Sequence, residues 1–140
     1  MIGVTSGVEK SVKCAAAITV AYTIGKFGAD DNTVSLATAT TDKLLGIFQH
    51  VTTVANEEVR VMLSGISNLV IGDAVTRGDL ITADSAGKGV LAVGHTHTEN
   101  TAGTYTQNAK TAAADAVRVI GVAMASGIAG DIIPVLIKQA

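Results

Sequence analysis

Two histidines and a glutamate in the stretch GHTHTENTAGTYTQNAKTAAAD (residues 94–115) have the side-chain types and the spacing of metal ligands. One residue separates His95 from His97, and one residue separates His97 from Glu99. Along an extended segment this spacing places all three side chains on one face, and imidazole and carboxylate groups suit zinc. The same residues are typical of a solvated, threonine-rich loop. We therefore expect surface histidines rather than a metal site, with a small metal-dependent enzyme and an interface role as the alternatives.

The other reactive side chains do not form a catalytic pattern. Cys14 is the only cysteine, which excludes an internal disulfide and a CxxC metal site, and we interpret it as a small hydrophobic residue. The chain has no GxxxxGK-S/T phosphate loop, no GxGxxG, no HExxH and no GxSxG. Two acidic pairs, residues 30–31 and 57–58, lie in predicted turns, where sequence neighbours usually point apart. We predict no catalytic residue, no cofactor and no enzymatic activity.

The composition favours an all-β fold. Valine, threonine and isoleucine make up 46 of the 140 residues, and β-branched side chains pack well on a pleated sheet but lose rotamer freedom in helices. Hydrophobic residues reach 48% while aromatic residues account for only 3%, so the core must consist of small aliphatic side chains. A core of this kind gains stability when subunits associate.

Charge and hydropathy exclude several classes of partner. The net charge is −2, and the ten lysines and arginines are scattered singly, whereas a nucleic-acid binder needs a basic stripe. No segment approaches the roughly 18 to 20 consecutive apolar residues that cross a bilayer, and the first residues do not resemble a secretory signal. We expect a soluble protein made inside the cell, with no nucleic-acid, membrane or small-molecule partner.

The chain contains an internal repeat of about half its length. Residues 44–46 align with 119–121, and residues 58–59 align with 131–132, in the order strand, turn, strand, glycine, loop, strand. The pattern predicts two similar strand units, at about 20–66 and 70–138, within one β domain at 14–140. A short TTD turn in the first unit corresponds to an insertion at 95–116 in the second, in which residues 108–116 favour a short helix.

The segments before the first unit carry weaker signals. The stretch VKCAAAITVAYTI combines alanines with β-branched residues, and we expect a strand from about Ala16. Residues 1–13 have no evident core partner and are interpreted as an N-terminal arm. Small apolar residues alternate along this arm, so it could add a strand to the edge of another protein's sheet. The candidate contact residues are Ile2, Val4, Thr5, Val8 and Val12.

The order of the glycine turns resembles that of a known family. The run EEVRVMLSG is followed by GDAVTRGDLITADSAGKGVLAVG and then by VRVIGVAMASGIAGDIIPVLI. Together these stretches resemble the tailed-phage capsid cement, or head decoration, proteins, and the second half is similar to the core of the lambda-type head decoration proteins. The resemblance covers roughly residues 20–138 and rests on the order and spacing of the turns.

The resemblance implies a small β-barrel or β-tulip protein without catalytic activity. Members of this family are usually homotrimers that sit on threefold sites outside an expanded phage head and clamp the major capsid protein. Their N-terminal arm commonly pairs with a capsid loop. We therefore expect a capsid decoration protein on the outer surface of the virion, and a tail or baseplate module is the structural alternative. The insertion at 95–116 departs from the family pattern and is expected at the trimer surface or the outer face of the head.

Overall fold

The structure, a computed structural model, describes residues 7–93 and 117–138. These residues form ten strands and no helix, which confirms the all-β prediction, and they include no helix long and apolar enough to cross a membrane. The short helix predicted at 108–116 lies outside the described residues. The strands are β1 Glu9–Cys14, β2 Ile24–Phe27, β3 Thr33–Leu36, β4 Leu44–Phe48, β5 Glu58–Met62, β6 Gly65–Val70, β7 Leu80–Ala83, β8 Gly89–Leu91, β9 Gly121–Ala123 and β10 Ile132–Ile137.

The strands form two five-stranded units, which we name unit 1 (β1 to β5) and unit 2 (β6 to β10). The order in unit 1 is β1-β3-β2-β4-β5, and β1 also pairs with β5, so the sheet closes into a barrel. The order in unit 2 is β6-β10-β9-β7-β8. A single parallel bridge between Ile71 and Gly89 joins the ends of the second sheet, at the position where Cys14 pairs with Val34 in the first. The two predicted strand units are therefore present.

The likeness between the units extends to individual turn hydrogen bonds. Before β5, the N–H of Asn56 donates to the carbonyl of Cys14 at 2.7 Å. Before β10, the N–H of Gly130 donates to the carbonyl of Ile71 at 2.9 Å. Asn56 and Gly130 both have a positive φ, of 68° and 92°, which glycine adopts without strain and asparagine tolerates. The internal repeat in the sequence thus corresponds to a repeat of the backbone conformation.

The unit boundaries differ from those predicted. Unit 1 begins with β1, inside the range 1–13 assigned to the arm, and unit 2 begins with β6 rather than at about residue 70. The outward residues of β1 are polar or charged, so this strand resembles an arm until its partner β5, about fifty residues later, is known. The strand expected from Ala16 is wrong: residues 15–23 consist of bends and irregular backbone.

The repeat alignment also needs a shift of one residue near its end. The structure makes Val59 equivalent to Ile133, because Val12 pairs with Val59 in unit 1 and Leu69 pairs with Ile133 in unit 2. Aligning residues 58–59 with 131–132, as the sequence suggests, would place inward residues of one unit opposite outward residues of the other. Side chains alternate along a strand, so a one-residue error exchanges its two faces.

The interiors of the two units are filled in complementary ways. In unit 1 the ring of Phe48 fills the barrel, and Gly25 leaves it room, since a Cβ at residue 25 would meet the ring at 2.7 Å. The strand pairing makes Ala123 and Ile81 the equivalent residues of unit 2. Unit 1 therefore combines a large side chain with a glycine, whereas unit 2 combines an alanine with an isoleucine. The two pairs fill a similar volume inside their units.

One outer face of unit 1 is buried against unit 2. The N–H of Ile24 donates to the carbonyl of Gly87 at 2.7 Å, and the N–H of Val70 donates to the carbonyl of Tyr22 at 2.9 Å. Five apolar residues of unit 1 belong to the same buried cluster as the interior of unit 2. They are Ile24, Ala37, Leu44, Ile47 and Met62. The larger hydrophobic core of the molecule therefore spans both units.

Candidate functional site

Two of the predicted arm residues, Val8 and Val12, are described by the structure, and they lie in different environments. Ile2, Val4 and Thr5 lie outside the described residues. Val8 is 60% exposed, and its carbonyl accepts a 2.7 Å hydrogen bond from the N–H of Leu63. Val12 is half-buried and packs against the interior of unit 1. The structure thus places Val12 inside the barrel rather than on a free arm, because its side chain points inward from β1.

The segment that precedes β1 leaves the barrel beside the link between the two units. The N–H of Val8 donates to Ser64 Oγ at 3.3 Å. A side chain at Gly7 would collide with the carbonyl oxygen of Ser64, so only glycine allows this close approach. These contacts place Gly7 and Val8 close to the start of β6.

The first half of β1 has one paired edge. Along Glu9–Lys13 the strand pairs with β5, whereas the pairing with β3 within the described residues involves only Lys13 and Cys14. Residues 9–12 therefore extend past the end of β3, with backbone groups available to another strand. An exposed strand edge of this kind is the element that β-strand addition uses.

Two equivalent loops present exposed valine and isoleucine side chains. Val54 lies before β5 and is 58% exposed, and Ile128 lies before β10 and is 66% exposed. In unit 1 the carboxylate of Glu57 accepts the N–H of Thr53 at 2.8 Å, and in unit 2 the carboxylate of Asp131 accepts the N–H of Ile128 at 2.9 Å. The acidic residues therefore shape the turns, and each unit presents one apolar tip to a potential partner.

The loop between β3 and β4, which is the short turn predicted from TTD, is closed by one carboxylate. Asp42 Oδ2 accepts the N–H groups of Thr38 and Ala39 at 2.8 and 3.0 Å and lies 3.4 Å from Lys26 Nζ. Partial burial alone would raise the pKa of Asp42, but the backbone donors and the ammonium group outweigh it and lower that pKa below its ordinary value. The charged form of Asp42 is thus favoured by the folded loop.

The described histidine and cysteine have structural environments. Cys14 is buried, and its Sγ lies 3.3 Å from Thr52 Oγ1 and 3.3 Å from the carbonyl of Glu57. His50 Nδ1 lies 2.9 Å from the carbonyl of Val51, and its Nε2 accepts the N–H of Arg60 at 3.1 Å. Both residues therefore support the fold of unit 1.

The described residues contain no group of three or more metal-ligating side chains. His95, His97 and Glu99 lie outside these residues, so the interpretation of this loop as carrying surface histidines rather than a metal site stays a prediction. Sequence reasoning missed the paired loops at Val54 and Ile128, although their turn residues were recognised. The exposure of these two side chains depends on where the neighbouring strands lie, and the local sequence does not predict it.

The fold defined by these observations is a duplicated, all-β, two-unit domain. It is similar to the crystal structure of the N base of head fiber gp8.5 in bacteriophage phi29, with a TM-score of 0.61. The two chains are 14% identical, and the similarity covers 94% of this chain and 93% of that chain. At this level of identity the similarity concerns the fold. No protein-family model matches the chain, and no curated protein matches it.

Proposed function

We propose that this protein is a structural component of a tailed-phage head, which binds the outside of the shell as a decoration protein and has no catalytic role. The carrying observation is the shared fold with a head fiber base, over nearly the full length of both chains. That neighbour is a phage head protein by its description. The comparison does not specifically support the lambda-type decoration family, so the narrower family resemblance stays a prediction.

The motif residues behind the family resemblance support a structural role. Asp79 accepts the N–H of Thr76 at 2.8 Å. Asp84 accepts the N–H groups of Ala86 and Lys88 at 2.8 and 2.9 Å. These carboxylates accept hydrogen bonds from backbone N–H groups and thereby stabilise turns, so the recurring acidic residues have a structural role.

The finer part of the proposal concerns the partner and the stoichiometry. We place the major capsid protein as the partner of residues 1–8 and of the free edge of β1, where main-chain hydrogen bonds would add a strand. The protein would act as a homotrimer at threefold sites, because three weak arms presented together bind far more tightly than one. Val54 and Ile128 would supply additional apolar contacts to the shell.

The proposal is tested by adding the purified protein to expanded heads of its phage that lack it. Sedimentation should recover the protein with the heads, and the heads should withstand a higher temperature before releasing DNA. A variant lacking residues 2–6 should lose binding by at least about 100-fold, since one set of strand contacts per subunit disappears. Val20→Ala, a change at an exposed apolar residue away from this segment, is the control. Failure of the intact protein to bind any head would refute the proposal.

The fold similarity to a fiber base favours a second role at the same location. The protein could serve as the base on which a longer surface fiber stands, rather than as a cement. Heads that lack the protein separate the two roles, because loss of a cement lowers heat resistance and loss of a base removes only the appendage. Immunogold imaging of virions tests both against the tail or baseplate alternative. Elemental analysis for zinc, iron and manganese tests the enzyme alternative at His95, His97 and Glu99.

A further inference from the structure

One outer face of unit 2 is equivalent to the buried outer face of unit 1 but is not covered by the described chain. In unit 1 a cross-strand row runs over β2, β4 and β5, where Ile24 pairs with Ile47 and Ile47 pairs with Met62. All three side chains are buried against unit 2. Burial of this row is what joins the two units.

The equivalent row of unit 2 is apolar along its whole length. Leu80 pairs with Val122, Val122 pairs with Leu136, and Leu136 pairs with Ile66, so the row crosses β7, β9, β10 and β6. Leu80 is 50% exposed, and the other three side chains are only partly buried. Unit 2 thus retains the composition of a buried interface at a face that nothing in the described structure covers.

A comparison of β5 with β10 strengthens this conclusion. The outward residues of β5 are Glu58, Arg60 and Met62, and only Met62 lies under unit 2. The outward residues of β10 are Ile132, Pro134 and Leu136. Unit 1 is charged where it meets solvent and apolar where it is covered, whereas β10 is apolar throughout. Contiguous exposed apolar patches of this kind usually mark an interaction site.

The absence of charge at the outward positions of these strands favours a second copy of the chain as the occupant of this face. The outward positions of β6, β9 and β10 contain no charged side chain, and they are Ile66, Asn68, Val70, Val122, Ile132, Pro134 and Leu136. Symmetric association brings each residue near its own copies, so a charged residue at the centre would repel itself. A face without charge avoids that cost. Contact with a different, charged surface would leave charges of that partner buried and unpaired.

A head-to-tail repeat of the intrachain contact is disfavoured by the chemistry of unit 1. Three residues of unit 2 form hydrogen bonds to unit 1, through the side chains of Ser67 and Thr82 and the N–H of Val70. The strand pairing makes Lys10, Lys13 and Lys26 the equivalent residues of unit 1. A copy of unit 1 in the place of unit 2 would therefore bring three charged side chains to this contact. We therefore propose that the row Leu80, Val122, Leu136 and Ile66 binds the same row of other copies of this chain around a symmetry axis.

This inference deepens the self-association within the proposed function, and the test separates the two. The molar mass of the protein is measured by light scattering during size exclusion, for the wild type and for Leu80→Glu with Leu136→Glu. The wild type should be an oligomer, and the double variant should be a monomer whose self-association is weakened by at least about 100-fold. Val51→Glu places the same charge at a residue of unit 1 that is 49% exposed, close to the 50% of Leu80, and should leave the oligomer intact.

Each outcome bears on the proposal. A folded double variant that assembles like the wild type would overturn it. A monomeric wild type would also overturn it, because the apolar row would then be covered by another part of the chain or by another protein. If the double variant does not fold, Ile132→Glu alone serves, because that side chain is 54% exposed in the single chain and its replacement leaves the interior intact. Head binding is measured separately with the wild type, so an intact oligomer that binds no head would refute only the proposed function.

Discussion

Units 1 and 2 have the same strand order and equivalent turn hydrogen bonds, yet they differ in closure and in what covers them. Unit 1 closes by pairing β1 with β3 over two residue pairs, whereas unit 2 closes by one bridge between Ile71 and Gly89. The outer apolar row of unit 1 is buried by unit 2, whereas no described residue covers the equivalent row of unit 2. The two units therefore share a backbone arrangement, while their side chains differ according to the environment of each unit.

The difference in the interiors predicts the largest effect of a single substitution. Phe48→Ala should lower the free energy of unfolding by about 3–5 kcal/mol, because it empties the centre of the closed barrel. Adding Gly25→Ile should recover about 1–2 kcal/mol, since it installs the combination that unit 2 uses at Ala123 and Ile81. Urea denaturation measures both changes.

Phe27→Ala is the matched control for that experiment, because Phe27 is 58% exposed and should contribute less than about 0.5 kcal/mol. A loss below about 1 kcal/mol for Phe48→Ala would mean that unit 1 does not depend on the ring. Further destabilisation on adding Gly25→Ile would show that the interiors of the two units are not interchangeable.

The paired turns before β5 and β10 predict a smaller and asymmetric effect. Gly130→Ala should cost about 1–2 kcal/mol, because φ is positive there and no atom lies near the added Cβ, so the cost is conformational. Asn56→Gly, at the equivalent residue of unit 1, should change stability by less than about 0.5 kcal/mol, since asparagine already tolerates this conformation. Thermal denaturation of the two variants measures the difference. Equal costs would contradict the structural equivalence of the turns.

We expect the smallest effect on stability in the loop between β3 and β4 of unit 1, and this effect depends on pH. Asp42→Asn should lower stability at pH 7 by about 1 kcal/mol, because the carboxylate accepts two backbone N–H groups. The pKa of Asp42 is lower in the folded state, so its contribution is complete above the unfolded value near 3.9 and is lost as the pH falls through the folded pKa.

Unfolding curves of the wild type and Asp42→Asn should therefore converge in acid. Asp31→Asn is the control, because Asp31 is exposed and the described structure shows no hydrogen bond to its carboxylate. A difference that persists below pH 2 would assign the effect of the Asp42 substitution to packing rather than to charge.

Much of the fold could be predicted from local patterns. Alternation in VRVML places Val59 and Val61 inside and Arg60 outside, and the structure agrees. The repeat of a glycine in the strands at Gly46 and Gly121 located both units, and in each case a Cβ would collide with a backbone carbonyl of the next strand. These features could be predicted because each depends on neighbours in sequence or on a direct repeat.

Less of the candidate site could be predicted. Val12 was assigned to an arm because the local sequence shows no core partner for it, and its partner Val59 lies far along the chain. The exposed tips at Val54 and Ile128 were missed, because a local pattern shows which residues are apolar but not which of them remain at the surface. Both errors concern contacts between distant segments.

The sequence by itself determined that this protein is built from strands, that its two halves repeat, and which residues form its turns. The tertiary structure alone decided that β1 and β6 begin the units, that parallel pairing closes them, and that one of two equivalent apolar rows is buried while no described residue covers the other. The physical reason is that alternation along a strand specifies its two faces locally, whereas the partner that covers a face is set by the packing of distant elements.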